Sequence, residues 1–189
     1  MRKLILSALL ISGLFARDKY IGIEAGLNMS DMRYGADAEA PDGSGMRMGA
    51  ALAVHYPLGP VIANAGYTQR GMTATDGDLT WALDYLTFGF SSSIYNINEQ
   101  IFVFGGLSLN YLLSAKAKFS GDMDGMDDQD LENVASLDYG LEFGLDYFFE
   151  ENMGLRFGYY LGLADINEET TEGYESYNKG IKVSFLYGL

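Results

Sequence analysis

The chain has no cysteine, which removes disulfide scaffolds, cysteine-ligated zinc sites and thiol enzymes together. It has one histidine, so a histidine-based metal site or catalytic triad has little to draw on. Cations are scarce: 12 Lys and Arg stand against 26 Asp and Glu, for a net charge of −14. Nucleic-acid binding needs cations set against phosphates, so no nucleic-acid partner is expected. Charged residues make up only 20% of the chain and aromatics 14%, which excludes a disordered chain. Past the N-terminus there is no long apolar segment, so no helix is expected to cross a membrane. The 189 residues suit one domain behind a short leader.

The leader is residues 1–16. Arg2 and Lys3 form a positive start, Leu4 to Phe15 is an apolar run, Ala16 is small enough for cleavage, and charge returns at Arg17. That order is a secretory signal peptide, and the run is too short for a transmembrane helix. The remainder, 17–189, is expected to form the folded domain.

Abundant Gly and aromatics come in strict alternation, the signature of strands. Leu137, Tyr139, Leu141, Phe143, Leu145 and Tyr147 share one face, and Asp138, Gly140, Glu142, Gly144 and Asp146 the other. Similar patterns run over 20–29, 46–56, 61–70, 101–113, 153–163 and 181–187. An eighth segment, 80–94, is less regular because Tyr85 and Leu86 put bulk on both parities, which suggests a bulge. Short turns at 56–60, 95–100 and 149–152 alternate with long acidic connections at 30–45, 71–79, 115–135 and 165–178. An even number of strands with short turns at one end and long loops at the other describes an all-β fold: an eight-stranded antiparallel up-and-down transmembrane β-barrel.

A secreted lipocalin-like barrel would alternate too, with its apolar face inward. Here the polar face is rich in Gly, Ala and Ser, which suit a narrow lumen better than a wet exterior. The apolar face ends in aromatics: Tyr56, Tyr147 and Tyr187 on the turn side, and Tyr67, Trp81 and Tyr111 on the loop side. These read as two interfacial girdles. The lumen is then expected to hold Glu24, Asp84, Asp138, Glu142 and Asp146 with Arg47, Arg70, Arg156 and Lys182, as a charge network that is structural and plugs the barrel.

Gly22-Ile23-Glu24-Ala25-Gly26-Leu27-Asn28, Tyr67-Thr68-Gln69-Arg70-Gly71, the run Phe104 to Leu113, and Val183-Ser184-Phe185-Leu186-Tyr187 resemble, in order, the first, third, fifth and closing strands of the PorT-like outer-membrane β-barrel family. The resemblance spans essentially all of 20–189. It implies a Gram-negative outer-membrane barrel without catalytic residues, whose namesake is associated with a protein-secretion system.

Other motifs say little. His55, before Tyr56 and Pro57, has no matching Ser nearby and reads as a polar residue at the turn-side rim, not a catalytic base. The acidic run Asp122 to Asp130 fails the EF-hand pattern, because its sixth and twelfth positions are Asp127 and Asn133. Asn28-Met29-Ser30 matches a glycosylation sequon, a three-residue pattern that recurs by chance. No catalytic residue, cofactor or metal is expected. The expected partners are outer-membrane lipid and an extracellular or envelope protein. The expected role is a non-enzymatic, structural or surface-interaction one through four acidic outer loops, with a narrow solute pore or an accessory part in secretion as alternatives.

Overall fold

The computed structural model describes residues 21–35, 40–121, 125–168 and 175–189. The leader expected over 1–16 lies outside the described residues, as do Asp122, Met123 and Asp124 of the acidic run. Among the described residues nine strands form one antiparallel sheet: β1 (Gly22–Tyr34), β2 (Gly45–Leu58), β3 (Val61–Ala74), β4 (Leu79–Asn96), β5 (Ile101–Phe119), β6 (Gln129–Asp130), β7 (Leu137–Phe148), β8 (Met153–Gly162) and β9 (Ser176–Gly188). β6 is a two-residue ribbon on the outer end of β5, beside Lys116 and Ala117. The other eight pair in chain order, and β1 pairs with β9 over its full length, so the sheet closes into an up-and-down barrel. Closure leaves none of these long strands with a bare edge, the condition a sheet must meet to sit in lipid.

Ile21, Leu189 and the short turns at 59–60, 97–100 and 149–152 lie at one end of the barrel. Gly59 takes φ 68 there, a left-handed conformation that suits glycine between Leu58 and Pro60.

Over most of the barrel the outside is apolar. Leu27, Leu52, Val54, Phe88, Phe90, Leu107, Leu109, Phe143, Leu145 and Phe157 all face outward and exposed. The inside is polar: Glu24, Asn28, Arg70, Asn110, Asp138, Arg156 and Asn178 are buried. A soluble barrel requires the reverse, and an apolar patch this continuous marks a membrane-facing surface.

Toward the loop end the polarity inverts. Met32, Met72, Leu83 and Tyr85 turn inward into a buried apolar cluster with Ala74 and Ile166. On the outward parity of the same stretches stand Asp31, Arg33 and Lys179, with Lys179 Nζ 3.2 Å from Asp31. Above the apolar band the wall stands in water, so it packs as a soluble sheet does. This corrects the strand limits. Alternation continues past residue 29 in β1 and past 70 in β3, with its phase reversed. The expected long loop at 71–79 is a hairpin closed by a 3-10 turn over Thr75–Gly77.

The inversion also explains Tyr85 and Leu86. Tyr85 is buried in the lumen and Leu86 lies on the outer face, so both parities carry bulk at the boundary. The register does shift here, but the extra residue is on β5: Asp84 pairs with Ser114 and Tyr85 with Leu112, which leaves Leu113 over.

Candidate functional site: a layered lumen beneath tied outer loops

Inward residues of all eight long strands meet in the lumen, and their spacing by two places them in layers. The layer nearer the short turns centres on Glu24 of β1. Its Oε2 lies 2.8 Å from His55 Nε2 of β2 and accepts from Arg156 Nη1 at 3.4 Å. Its Oε1 accepts from Ser184 Oγ at 2.7 Å and from Lys182 Nζ at 2.9 Å. Lys182 also reaches Glu142 at 2.6 Å. Arg156 grips Asp146 through Nε and Nη2, both at 2.7 Å, and stacks 4.2 Å above the Phe104 ring. Buried ions persist only when paired and hydrogen-bonded in this way.

The next layer centres on Arg70, Asn110 and Asp138. Arg70 donates to Asp138 Oδ2 at 2.9 Å and to Asn110 Oδ1 at 3.4 Å, and lies 3.5 Å above the Tyr160 ring. Asn110 Oδ1 also accepts from Thr87 and Ser108, both at 3.0 Å, while its amide donates to Tyr160 Oη at 3.0 Å. Asn178 donates to Asp138 Oδ2 and to Tyr85 Oη, both at 3.1 Å. Small inward residues make the room. A Cβ on Gly140 would stand 2.7 Å from Tyr160 Cζ, and one on Gly158 3.2 Å from Glu142 Oε1.

The free space is small. Between the layers, beside Glu24, Asn28 and Thr68, a cavity of about 30 Å³ has room for one or two waters. A second, of about 60 Å³, opens toward the short turns beneath His55, Asp146 and Arg156. At the other end Tyr85, Leu83 and Met72 follow the Arg70 layer, and apolar packing takes over.

Glu24, Arg70, Asp138, Glu142, Asp146, Arg156 and Lys182 come together in the lumen. Arg47 and Asp84 do not, which corrects the expected network. Asp84 shares the outward parity of Leu86 and accepts from Gln69 Nε2 at 3.2 Å, and Gln69 Nε2 also donates to Tyr67 Oη at 3.0 Å. Arg47 lies where β2 gains a residue against β3, between Met46 and Ala51, and bonds the carbonyl of Arg70. It keeps the inward parity of its strand, opposite Ser30 of β1, but it bonds a backbone carbonyl in place of a carboxylate of the network.

Trp81 is also corrected. It packs on the inner apolar cluster and belongs to no girdle, because it lies beyond the inversion. Tyr56, Tyr111, Tyr147 and Tyr187 face outward and exposed, and Tyr67 is half-buried on the outward parity. His55, expected at the rim, is buried against Glu24. Ser184, which shares Glu24 with it, bonds the carboxylate, and among the described residues no serine is hydrogen-bonded to the imidazole. Asn28 is buried and donates to the Gln69 carbonyl at 2.9 Å, so the sequon amide is occupied.

The neutral half of the network, Asn110, Asn178, Tyr160, Tyr85, Ser184 and Thr87, escaped a reading that looked for charge. Its signal was polarity on the inward parity.

The outer loops are tied to one another. Ala135 donates to the Ile166 carbonyl at 2.9 Å, Glu168 to Asn133 at 2.8 Å, and Ile166 to Ser176 at 2.8 Å. Leu131, Val134 and Ile166 thereby come to rest on the cluster that closes the lumen.

A family model, that of the outer membrane protein beta-barrel domain, matches residues 15–168. Neisserial surface protein A has the same fold: it is 12% identical, with a TM-score of 0.63 over 89% of this chain and 97% of that one. OprG from Pseudomonas aeruginosa is 14% identical, with a TM-score of 0.49 over 89% and 95% of the two chains. Ail, the attachment invasion locus protein of Yersinia pestis, is 17% identical, with a TM-score of 0.47 over 90% and 100%. No curated protein matches the sequence.

Proposed function

The chain belongs to the outer membrane protein beta-barrel domain family, a premise from which we propose that it is a non-enzymatic surface or structural protein of the outer membrane with a closed lumen. One observation carries this reading. The two hydrogen-bonded layers across the lumen leave space for only a few waters between them. A barrel of this strand number is filled by its own side chains, so the parts free to recognise anything are the loops. The apolar leader would deliver it through the secretory route, with the long loops outside and the termini in the periplasm.

The pore reading has the cavity near His55 in its favour, but Glu24 and Arg156 block the way beyond it. The PorT-like likeness adds an accessory role in secretion as a proposal, and co-purification with envelope proteins tests that role. The main reading is tested in two steps. Unboiled and boiled samples on SDS gels should differ in mobility, as a closed barrel requires. The purified protein in planar bilayers should then show no steady conductance. A large, stable, ion-selective current would overturn the closed-lumen reading.

A further inference from the structure

We propose that the outer end of the barrel binds one small apolar molecule bearing no negative charge, in a cavity beside Trp81. The cavity measures about 160 Å³ and is lined by Met32, Trp81, Leu83, Leu131, Val134 and Ile166. An apolar protein cavity of ~150 Å³ accepts a benzene-sized guest, so this volume is enough for one small molecule. Its floor is fixed, because Met32, Leu83 and Ile166 are buried in the cluster that closes the lumen. Its walls are fixed by the backbone bonds joining Ala135 to Ile166 and Ile166 to Ser176.

Leu131, Val134 and Trp81 are only partly buried, so the gap exposes apolar surface at the water side of the barrel. A mostly apolar hollow with a few polar rim groups is the usual form of a small-molecule site. Glu132 supplies the one charged side chain among the lining residues described, and with a net charge of −14 it disfavours an anionic guest. The guest goes no deeper, because the Arg70–Asp138 layer lies beneath the cluster. The site therefore retains a ligand and does not conduct it. This inference rests on the outward orientation of the long loops proposed above.

Trp81 is the only tryptophan, so its emission reports on this cavity alone. The full-length mature protein, folded into phosphatidylcholine vesicles, would be titrated with n-hexanol and, at neutral pH, with hexanoate. The expected result is a saturable change in Trp81 emission with hexanol, at least tenfold weaker with hexanoate. Val134→Phe and Leu131→Phe fill the cavity and should each abolish saturation while keeping the heat-dependent gel shift that shows a folded barrel. A response that rises linearly with hexanol and is the same in both filled variants reflects bilayer partitioning and overturns the site. Equal saturation with hexanoate overturns the charge preference and points to an anionic amphiphile. Because folding and conductance are read separately, failure here leaves the closed-lumen reading standing.

Discussion

Arg156 and Asp146 face each other across β8 and β7 and are joined by two bonds of 2.7 Å, with the guanidinium lying on Phe104. The fork geometry uses both carboxylate oxygens, and neither side chain reaches water enough to shed its charge cheaply. Asp146→Asn keeps the size and removes the charge. It should cost about 3–5 kcal/mol, the usual penalty for stranding one partner of a buried pair. Replacing both residues with Met and Leu should cost less than Asp146→Asn alone. Denaturant unfolding in lipid vesicles checks both.

Glu24 has four partners and His55 has one in this network. Glu24→Gln should therefore destabilise the barrel more than His55→Asn does, by ~1–3 kcal/mol, the cost of unsatisfied buried partners. His55→Asn should also leave the acyl composition of the host envelope lipids unchanged, since among the described residues no serine is hydrogen-bonded to the imidazole. Unfolding midpoints check the first expectation and lipid mass spectrometry the second.

The position of the membrane follows from where the polarity inverts. Leu107 stands in the middle of the outer apolar band, whereas Met46 stands at its outer edge on β2. Leu107→Arg should cost about 2–4 kcal/mol and Met46→Arg about 0–1, following the depth dependence of barrel surfaces. Equal costs at the two positions, measured by reversible unfolding in vesicles, would show that the band does not lie in lipid.

Gly140 leaves room for Tyr160. Its Cβ would crowd the Leu161 carbonyl and stand 2.7 Å from the Tyr160 ring. Gly140→Leu should push that ring off Arg70 and Asn110 and cost more than ~1–3 kcal/mol, the range for overpacking, because it also breaks the second layer. Loss of heat-modifiability at lower temperature than the parent is the readout.

The readings that failed turn on what a single strand leaves out. Parity counted along one strand says which side a residue takes only while the environment outside is uniform, and it never names the partner. Asp84 and Trp81 lie at or beyond the point where outside changes from lipid to water, so the charge faces outward and the indole inward. Arg47 keeps the inward parity but bonds a backbone carbonyl. His55 lies three places from the end of β2, but β1 pairs it with Gly22 and brings Glu24 over it. Its depth depends on the stagger between strands.

The sequence by itself determined that eight long strands alternate, which face of each is apolar, which connections are short, and that several charges must share an interior. Those are local properties, set by a period of two and by the turn residues. Which charges meet, where the polarity inverts, and that a tryptophan lines a hollow under tied loops were decided by the tertiary structure. Register and closure bring residues such as Arg70 and Asp138, or Glu24 and Ser184, within bonding distance, and neither can be read from any one strand.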